Sequence, residues 1–342
     1  MRQEIEKIAV VEQNTHAMKE SGYIAGGDLG GTNLRLALAD MSGTILARWS
    51  SPTVALRGPE AVIQLICRGV KNMLHEVAAP LDALRSIAIG VPGVTDVDNG
   101  VVIATSYLMG WRDVPLRALL EKALNVAAFV DNDVNMAAIG EQGSGSAKDA
   151  KDFVFLAIGT GIGAGIVLNG KLHRGSSWAA GEIGYMLVPG VAEIPAESDQ
   201  PGALESMIGG AGIKGQWQKF CSDEQTTLPT EFNATEIFDR ALDGNPQAKA
   251  LLRQSATMLA QAIYNVSLVL NCPLFVLGGT VGMHPALCEA TQKMLDQWMV
   301  PGSPRLVRSS LGTDAQLLGS VRAALEAARA RIILPSICTN SD

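Results

Sequence analysis

The sequence predicts an α/β protein built of two related domains with a cleft between them. Two observations carry this. Residues 23–50 and 153–173 each lay out strand, turn, strand, turn, strand, and each round is followed by alternating helices and strands. The chain has 342 residues, 47% of them hydrophobic, which is enough for two cores of ordinary size.

Residues 1–22 are polar and weakly periodic, a leader too short for a DNA-binding domain. The segments "YIAGGDL", "LRLALAD" and "TILARWS" read as three strands of an antiparallel meander. "PEAVIQLICRGVKNMLHEVA" has helical spacing of apolar residues, and "LRSIAIGVP" is a buried strand ending in the turn that holds Gly93. "VPLRALLEKAL" is a helix, "NVAAFV" a strand, and a helix follows Asp133. After the polar, small-residue link "GSGSAKDAKD", the strands "FVFLAIG", "GAGIVLN" and "GKLHRG" open the second round. Helices are predicted around 203–220, 234–242 and 246–270, then the strand "LFVLGG", a helix near 284–298, the strand "RLVRSS" and a last helix, "DAQLLGSVRAALEAARA". The expected domains are 23–140 with 315–330, where the last helix returns, and 141–314. The expected hinge lies near 141–151, and 331–342 form a tail.

Composition excludes several classes. Lys and Arg number 27 against 34 Asp and Glu, a net charge of −7, and no dense basic run offers a face to nucleic acid. Only 18% of residues are charged, which is neither a disordered nor a coiled-coil composition. Five scattered cysteines without C-x-x-C spacing suit reduced thiols in a cytoplasmic protein. The N-terminus lacks the apolar core of a signal peptide. The most apolar stretch, 256–279, is interrupted by Gln261, Asn265, Asn271 and Pro273, so it reads as a core helix running into a strand and no membrane partner is expected.

Two glycine turns carry the first chemical signal. Glycine at positive φ lets N–H groups converge on an anion, and threonine adds a hydroxyl. "DLGGTNLR" offers Gly30, Gly31 and Thr32, with Asn33 and Arg35 beside them, and "GTGIGAG" offers Gly159, Thr160 and Gly161. A strand follows the second turn where a dinucleotide fold needs a helix, and no G-x-x-x-x-G-K-[ST] occurs. Asp28 ends a buried strand beside a phosphate-type turn, where an acid suits Mg²⁺ through water.

The stretch "VDNDVNMAAIG" is the second signal. Asp131, Asp133 and Asn135 have the 1, 3, 5 spacing of a calcium loop, but Met136 stands where glycine is required and Gln142 where glutamate is. A helix N-cap and a catalytic carboxylate both fit, and they are compatible.

Taken in order, "DLGGTNLRLAL", "VDNDVNMAAIGE", "LAIGTGIGAGIVLNGKL", "RGSSWAAGEIGYM" and "FVLGGTVG" resemble bacterial ROK (repressor, open reading frame, kinase) sugar kinases over residues 23–330. These are glucokinase-like members of the actin-like ATPase superfamily. The resemblance implies two ribonuclease-H-like domains with the active site in the cleft, and ATP with Mg²⁺. The two turns would clasp phosphates and Gly278 and Gly279 would border adenosine. Asp133 would be the general base, leaving Asp131 as its neighbour and helix cap. Asn132, Glu182 and Glu205 would hold the sugar, with Gly93, Tyr107 and Tyr185 on the sugar side. A homodimer or homotetramer is implied as well.

Three departures stand out. Tyr185 replaces the family's usual histidine, and Tyr107 replaces an asparagine. The family's cysteine-rich zinc loop has no cysteine or histidine here, so no zinc site is expected. Glucose is the default substrate. Another hexose, an amino sugar, polyphosphate as donor, or a non-catalytic sugar sensor are the alternatives.

Overall fold

The structure, a computed structural model, describes residues 22–105, 107–192, 194–196, 200–223, 229–299 and 302–333. The leader up to 21, the end of the tail, His16 and Cys338 therefore lie outside the described residues. The described residues divide into two compact units, one holding 22–136 and 316–333, the other lying within 137–315.

The first unit opens with β1 (Tyr23–Leu29), β2 (Asn33–Asp40) and β3 (Ile45–Pro52), then α1 (Gly58–Glu76) and β4 (Leu84–Val91). Three short strands follow: β5 (Val94–Asp96), β6 (Val101–Ala104) and β7 (Arg112–Val114). Then come α2 (Leu116–Leu124) and β8 (Ala127–Asn132). The main sheet has the order β3-β2-β1-β4-β8, antiparallel from β3 to β1 and parallel from β1 to β8.

Helix α1 starts with proline in its first turn and buries one stripe, Val62, Ile66, Val70 and Met73, against the sheet. Gly69 sits in that stripe because a Cβ there would lie 2.5 Å from both Leu36 and Trp49. Each aliphatic side chain buried this way contributes about 1.5–3 kcal/mol. The last helix of the chain, Ala315–Ile333, also packs on this sheet. Ser320 Oγ donates to the Gly27 carbonyl at 2.8 Å and Ser86 Oγ to the Ala324 carbonyl at 2.6 Å.

α3 (Asp133–Ser144) carries the chain into the second unit. There follow β9 (Phe153–Ile158), β10 (Ile162–Leu168), β11 (Lys171–His173), α4 (Ala203–Ile208), α5 (Gly210–Asp223), α6 (Ala234–Leu242) and α7 (Pro246–Leu270). β12 (Leu274–Gly278), α8 (Gly279–Gly282), α9 (Pro285–Trp298), β13 (Arg305–Arg308) and α10 (Ala315–Ile333) complete the chain. The second sheet runs β11-β10-β9-β12-β13 and repeats the order and strand directions of the first. Its core gathers Leu156, Ile213, Trp217, Phe238, Leu259, Ile263 and Phe275, and the helix starts are firmly marked. Asn233 and Glu236 form a capping box at α6, and Asn245 accepts from Ala248 N at 2.9 Å at α7.

Two details differ from expectation. The small sheet β5-β6-β7 was not foreseen, because strands of three or four residues carry no readable period. The single helix expected over 203–220 is two, α4 and α5, with extended backbone at Gly209 between them. The segment expected as a hinge opens inside α3, and Glu141 there is fully buried. No helix among the described residues is long and apolar enough to cross a membrane.

Candidate functional site

In the first unit, the turn Gly30–Thr32 joins β1 to β2, and Gly30 N donates to the Asn33 carbonyl at 2.8 Å. Thr53, buried at the exit of β3, fastens the turn at both ends. Its hydroxyl donates to the Gly30 carbonyl and its N–H to the Thr32 carbonyl, each at 2.9 Å. Among the described residues, the N–H groups of Gly31 and Thr32 donate to no main-chain carbonyl, and Thr32 is exposed. The Asn33 side chain makes a 3.5 Å contact from Nδ2 to the Thr32 hydroxyl. Arg35 and Asp28 form an ion pair, with Nη2 at 2.6 Å and Nε at 3.0 Å from Asp28 Oδ2.

The turn glycines do not act through positive φ as expected. Gly30, Gly31 and Gly159 do not adopt positive φ. Gly31 is instead required by close approach, since a Cβ there would lie 2.8 Å from the Tyr107 carbonyl. The turn and the exposed Tyr107 are thereby brought together. Gly93 does need the left-handed region, with φ +95, and a Cβ there would meet the Ala104 carbonyl at 2.2 Å.

The stretch that opens α3 is ordered by its own amides. Asn132 Oδ1 accepts from the N–H groups of Val134 and Asn135 at 2.8 and 3.2 Å, and its Nδ2 donates to the Gly93 carbonyl at 2.9 Å. The cap is therefore Asn132, not Asp131 as expected. Asp131 is buried and its Oδ1 accepts from Asn132 N and Asn135 Nδ2. Asp133 is the first residue of α3, half-buried, with Val134 N donating to its Oδ1 at 2.9 Å.

In the second unit, Gly159–Gly161 joins β9 to β10 at the equivalent place. Gly159 N donates to the Gly161 carbonyl at 3.0 Å, and Thr160 is exposed. Among the described residues, Thr160 and Gly161 donate their N–H groups to no main-chain carbonyl. The start of α5 closes on the turn, Gly210 N donating to the Gly159 carbonyl at 2.7 Å. Gly279, which follows Gly278 at the end of β12, lies against it too: a Cβ there would be 2.9 Å from Gly159 N.

Glu182 and Glu205 come together beside this turn. Gly181, at φ +100, approaches β10 so closely that a Cβ would lie 1.9 Å from the Ala164 carbonyl, and this places Glu182 at the start of a 3₁₀ turn, Ile183–Tyr185. Gly184 in that turn packs on Glu205, and Gly202 on the Tyr185 backbone. Glu205 Oε2 accepts from Ile162 N at 2.8 Å. Burial, and then the neighbouring charge of Glu205, push the Glu182 carboxyl above its ordinary range.

Sequence reasoning missed Thr53 and the Ile162 N–H. Neither lies in a motif: one is a lone threonine after a strand, the other a main-chain donor that any residue carries. Among the described residues, no group of three or more His, Cys, Asp or Glu is placed to hold a metal ion, and Cys67, Cys221, Cys272 and Cys288 are unpaired.

The sequence profile of the ROK family matches residues 24–327. A glucokinase of Halalkalibacterium halodurans is 28% identical over 313 residues, covering 88% of this chain and 94% of its own. An N-acetylmannosamine kinase of Salmonella heidelberg is 30% identical over 296 residues, covering 86% and 95%. The crystal structure of the ROK hexokinase from Thermus thermophilus, 29% identical, covers 91% of this chain and 99% of its own at a TM-score of 0.71. The mixed α/β architecture matches that of the actin-like sugar kinases of this family, and the relatives support sugar kinase activity. The chain belongs to the ROK family.

Proposed function

We propose that the chain transfers the γ-phosphoryl group of ATP to a hydroxyl of a hexose. The observation that carries this is the pair of glycine turns. Each occupies the same place in its unit, and in each, among the described residues, two N–H groups donate to no main-chain carbonyl beside an exposed threonine. Such donors fit phosphate oxygens. Gly30, Gly31, Thr32 and Asn33 would serve one end of the nucleotide's phosphates, Gly159, Thr160 and Gly161 the other, and Gly278 and Gly279 the nucleoside. At Asp28, where Arg35 takes Oδ2, Mg²⁺ would be held through water. When bound, the ion would neutralise charge on the phosphates.

Asp133 is assigned as general base. It takes the proton of the attacking sugar hydroxyl as that oxygen bonds to the γ-phosphorus and the bond to the β-phosphate oxygen breaks. The capped start of α3 supports the assignment, because it fixes the carboxylate through Val134 N. Glu182 and Glu205 are assigned to sugar hydroxyls, which offer protons to paired acceptors. Asn132 contributes through its remaining N–H, since its Oδ1 and one Nδ2 proton are already engaged. Tyr107, Tyr185 and Gly93 would shape the sugar side.

Glucose 6-phosphate formation is the default reading. An amino sugar is the second, favoured by the 30% identity to N-acetylmannosamine kinases and by the two tyrosines that depart from the glucokinase pattern. The test is ADP release with ATP and Mg²⁺ over a panel of hexoses and N-acetyl-hexosamines. Turnover on none of them, nor with polyphosphate as donor, overturns the reading in favour of a sugar sensor.

A further inference from the structure

We propose that Glu205 is a positioning residue for the Gly159–Gly161 turn, which it holds through the Ile162 N–H, so that sugar and nucleotide affinities are coupled inside the second unit. This rests on the sugar kinase reading above and adds a role to a residue which that reading assigns to the sugar alone.

A carboxylate is acceptor-only, with two oxygens. One of them, Glu205 Oε2, is committed to Ile162 N at 2.8 Å, directly after the turn and at the first residue of β10. The same residue is tied to the turn by a second route. The Glu205 carbonyl accepts from Gly209 N at 2.8 Å, and the next residue, Gly210, donates to the Gly159 carbonyl at 2.7 Å. There is no slack along this path. A Cβ at Gly209 would lie 2.9 Å from the Thr160 carbonyl, and one at Gly210 would lie 2.8 Å from the Gly159 carbonyl. A displacement of Glu205 is therefore passed to the turn, because close-packed atoms transmit strain.

The electrostatics agree. Glu205 opposes the charge of Glu182, and a sugar that donates hydroxyl protons to both relieves that opposition. Binding energy gained at Oε1 thus acts on a group whose other oxygen fixes the phosphate turn. By linkage, any tightening of nucleotide binding by sugar equals the tightening of sugar binding by nucleotide.

The test is binding of Mg²⁺·AMP-PNP without sugar, by calorimetry, to the wild-type chain, Glu205→Ala and Glu205→Gln. A glutamate that touches only sugar has no effect in this assay. We expect Glu205→Ala to weaken binding about tenfold, the equivalent of one charge-assisted hydrogen bond. Glu205→Gln keeps an acceptor for Ile162 N–H and is expected to stay within about twofold; when the titration is repeated with the best sugar of the panel, the gain in affinity seen in wild type is expected to be lost in this variant. Equal affinity in all three, or equal loss in both variants, overturns the proposal. Should Glu205→Ala not fold, amide exchange decides. Ile162 is expected to exchange slowly in wild type and Glu205→Gln, and fast exchange there overturns it. A wild-type chain that binds no AMP-PNP yet protects Ile162 sinks the kinase reading and leaves the fastening of the turn standing.

Discussion

Asn132 and Gly93 are joined by one hydrogen bond, Nδ2 to carbonyl at 2.9 Å, while the other end of the same amide caps α3. One side chain therefore sets the start of the helix that bears Asp133 and fixes it to the turn after β4. Asn132→Ala removes both ends. The cap is worth about 1 kcal/mol and the second bond about as much, so a loss of about 2 kcal/mol is expected in urea denaturation. Asn132→Asp keeps the cap and loses only the donor, and is expected to recover about half. Equal losses in the two variants would show that the link to Gly93 is the only end that counts.

Asp133→Asn keeps an oxygen for Val134 N and removes only the basic site. Turnover on the best sugar is expected to fall about a thousandfold, within the range of positioned general bases, with the melting temperature nearly unchanged. The Michaelis constants should move little, because the amide occupies the same volume. Full activity in this variant would return Asp133 to a purely structural role at the helix start.

The duplicated architecture was legible because it rests on strong signals. Apolar strands, glycine turns and long helices gave both sheets their elements, and the shared order of the two sheets follows from the repeated plan. Local chemistry was harder to read. Asp131 and Asn132 are both good caps, and only the fold decides that Asp131 is turned inward to Asn135 Nδ2 while Asn132 faces the open N–H groups. Gly31 announced a turn, but its reason, the Tyr107 carbonyl, lies 76 positions away and no local pattern encodes that approach. The link from Glu205 to Ile162 spans 43 positions and ends on a main-chain donor.

Thr53 makes a separate prediction, since it clamps the first glycine turn from outside any motif. Thr53→Val keeps the shape and the N–H bond to the Thr32 carbonyl but loses the hydroxyl bond to Gly30. The Gly30–Thr32 turn should loosen, and the KM for ATP is expected to rise about threefold to tenfold with a smaller change in kcat. A KM for sugar that rises while that for ATP stays fixed would contradict the phosphate assignment of this turn.

Glu182 carries a stability cost that grows with pH. Burial and the charge of Glu205 raise its folded-state carboxyl above the ordinary 4.5 of the unfolded chain. Below that ordinary value both states are protonated and the contribution is fully present. It is lost as pH rises through the raised folded value. Glu182→Gln removes this penalty, so the sugar-free variant is expected to melt about 2 °C higher than wild type at pH 7 and no higher at pH 4. Sugar binding should be lost at the same time. A variant less stable than wild type at pH 7 would show that Glu182 is held by partners that favour its charge.

Glu141 offers the sharpest contrast between two variants. It is fully buried in α3, accepts from Ser146 N at 2.6 Å through Oε2, and takes the Ser309 hydroxyl through Oε1. Ser309 Oγ in turn accepts from Gly312 N at 2.9 Å, and Ser146 Oγ donates to the Arg308 carbonyl. One carboxylate thus ties the end of α3 to the exit of β13. Glu141→Ala leaves a half-buried N–H and a buried hydroxyl without their acceptor, and a loss of about 3–5 kcal/mol is expected. Glu141→Gln can still accept from Ser146 N and donate to Ser309, so its loss should be about 1–2 kcal/mol. Amide exchange should rise at Ser146 and Gly312 in Glu141→Ala and only slightly in Glu141→Gln. If the two variants lose equal stability, the negative charge matters more than the hydrogen bonds, and the network is not what holds these two segments together.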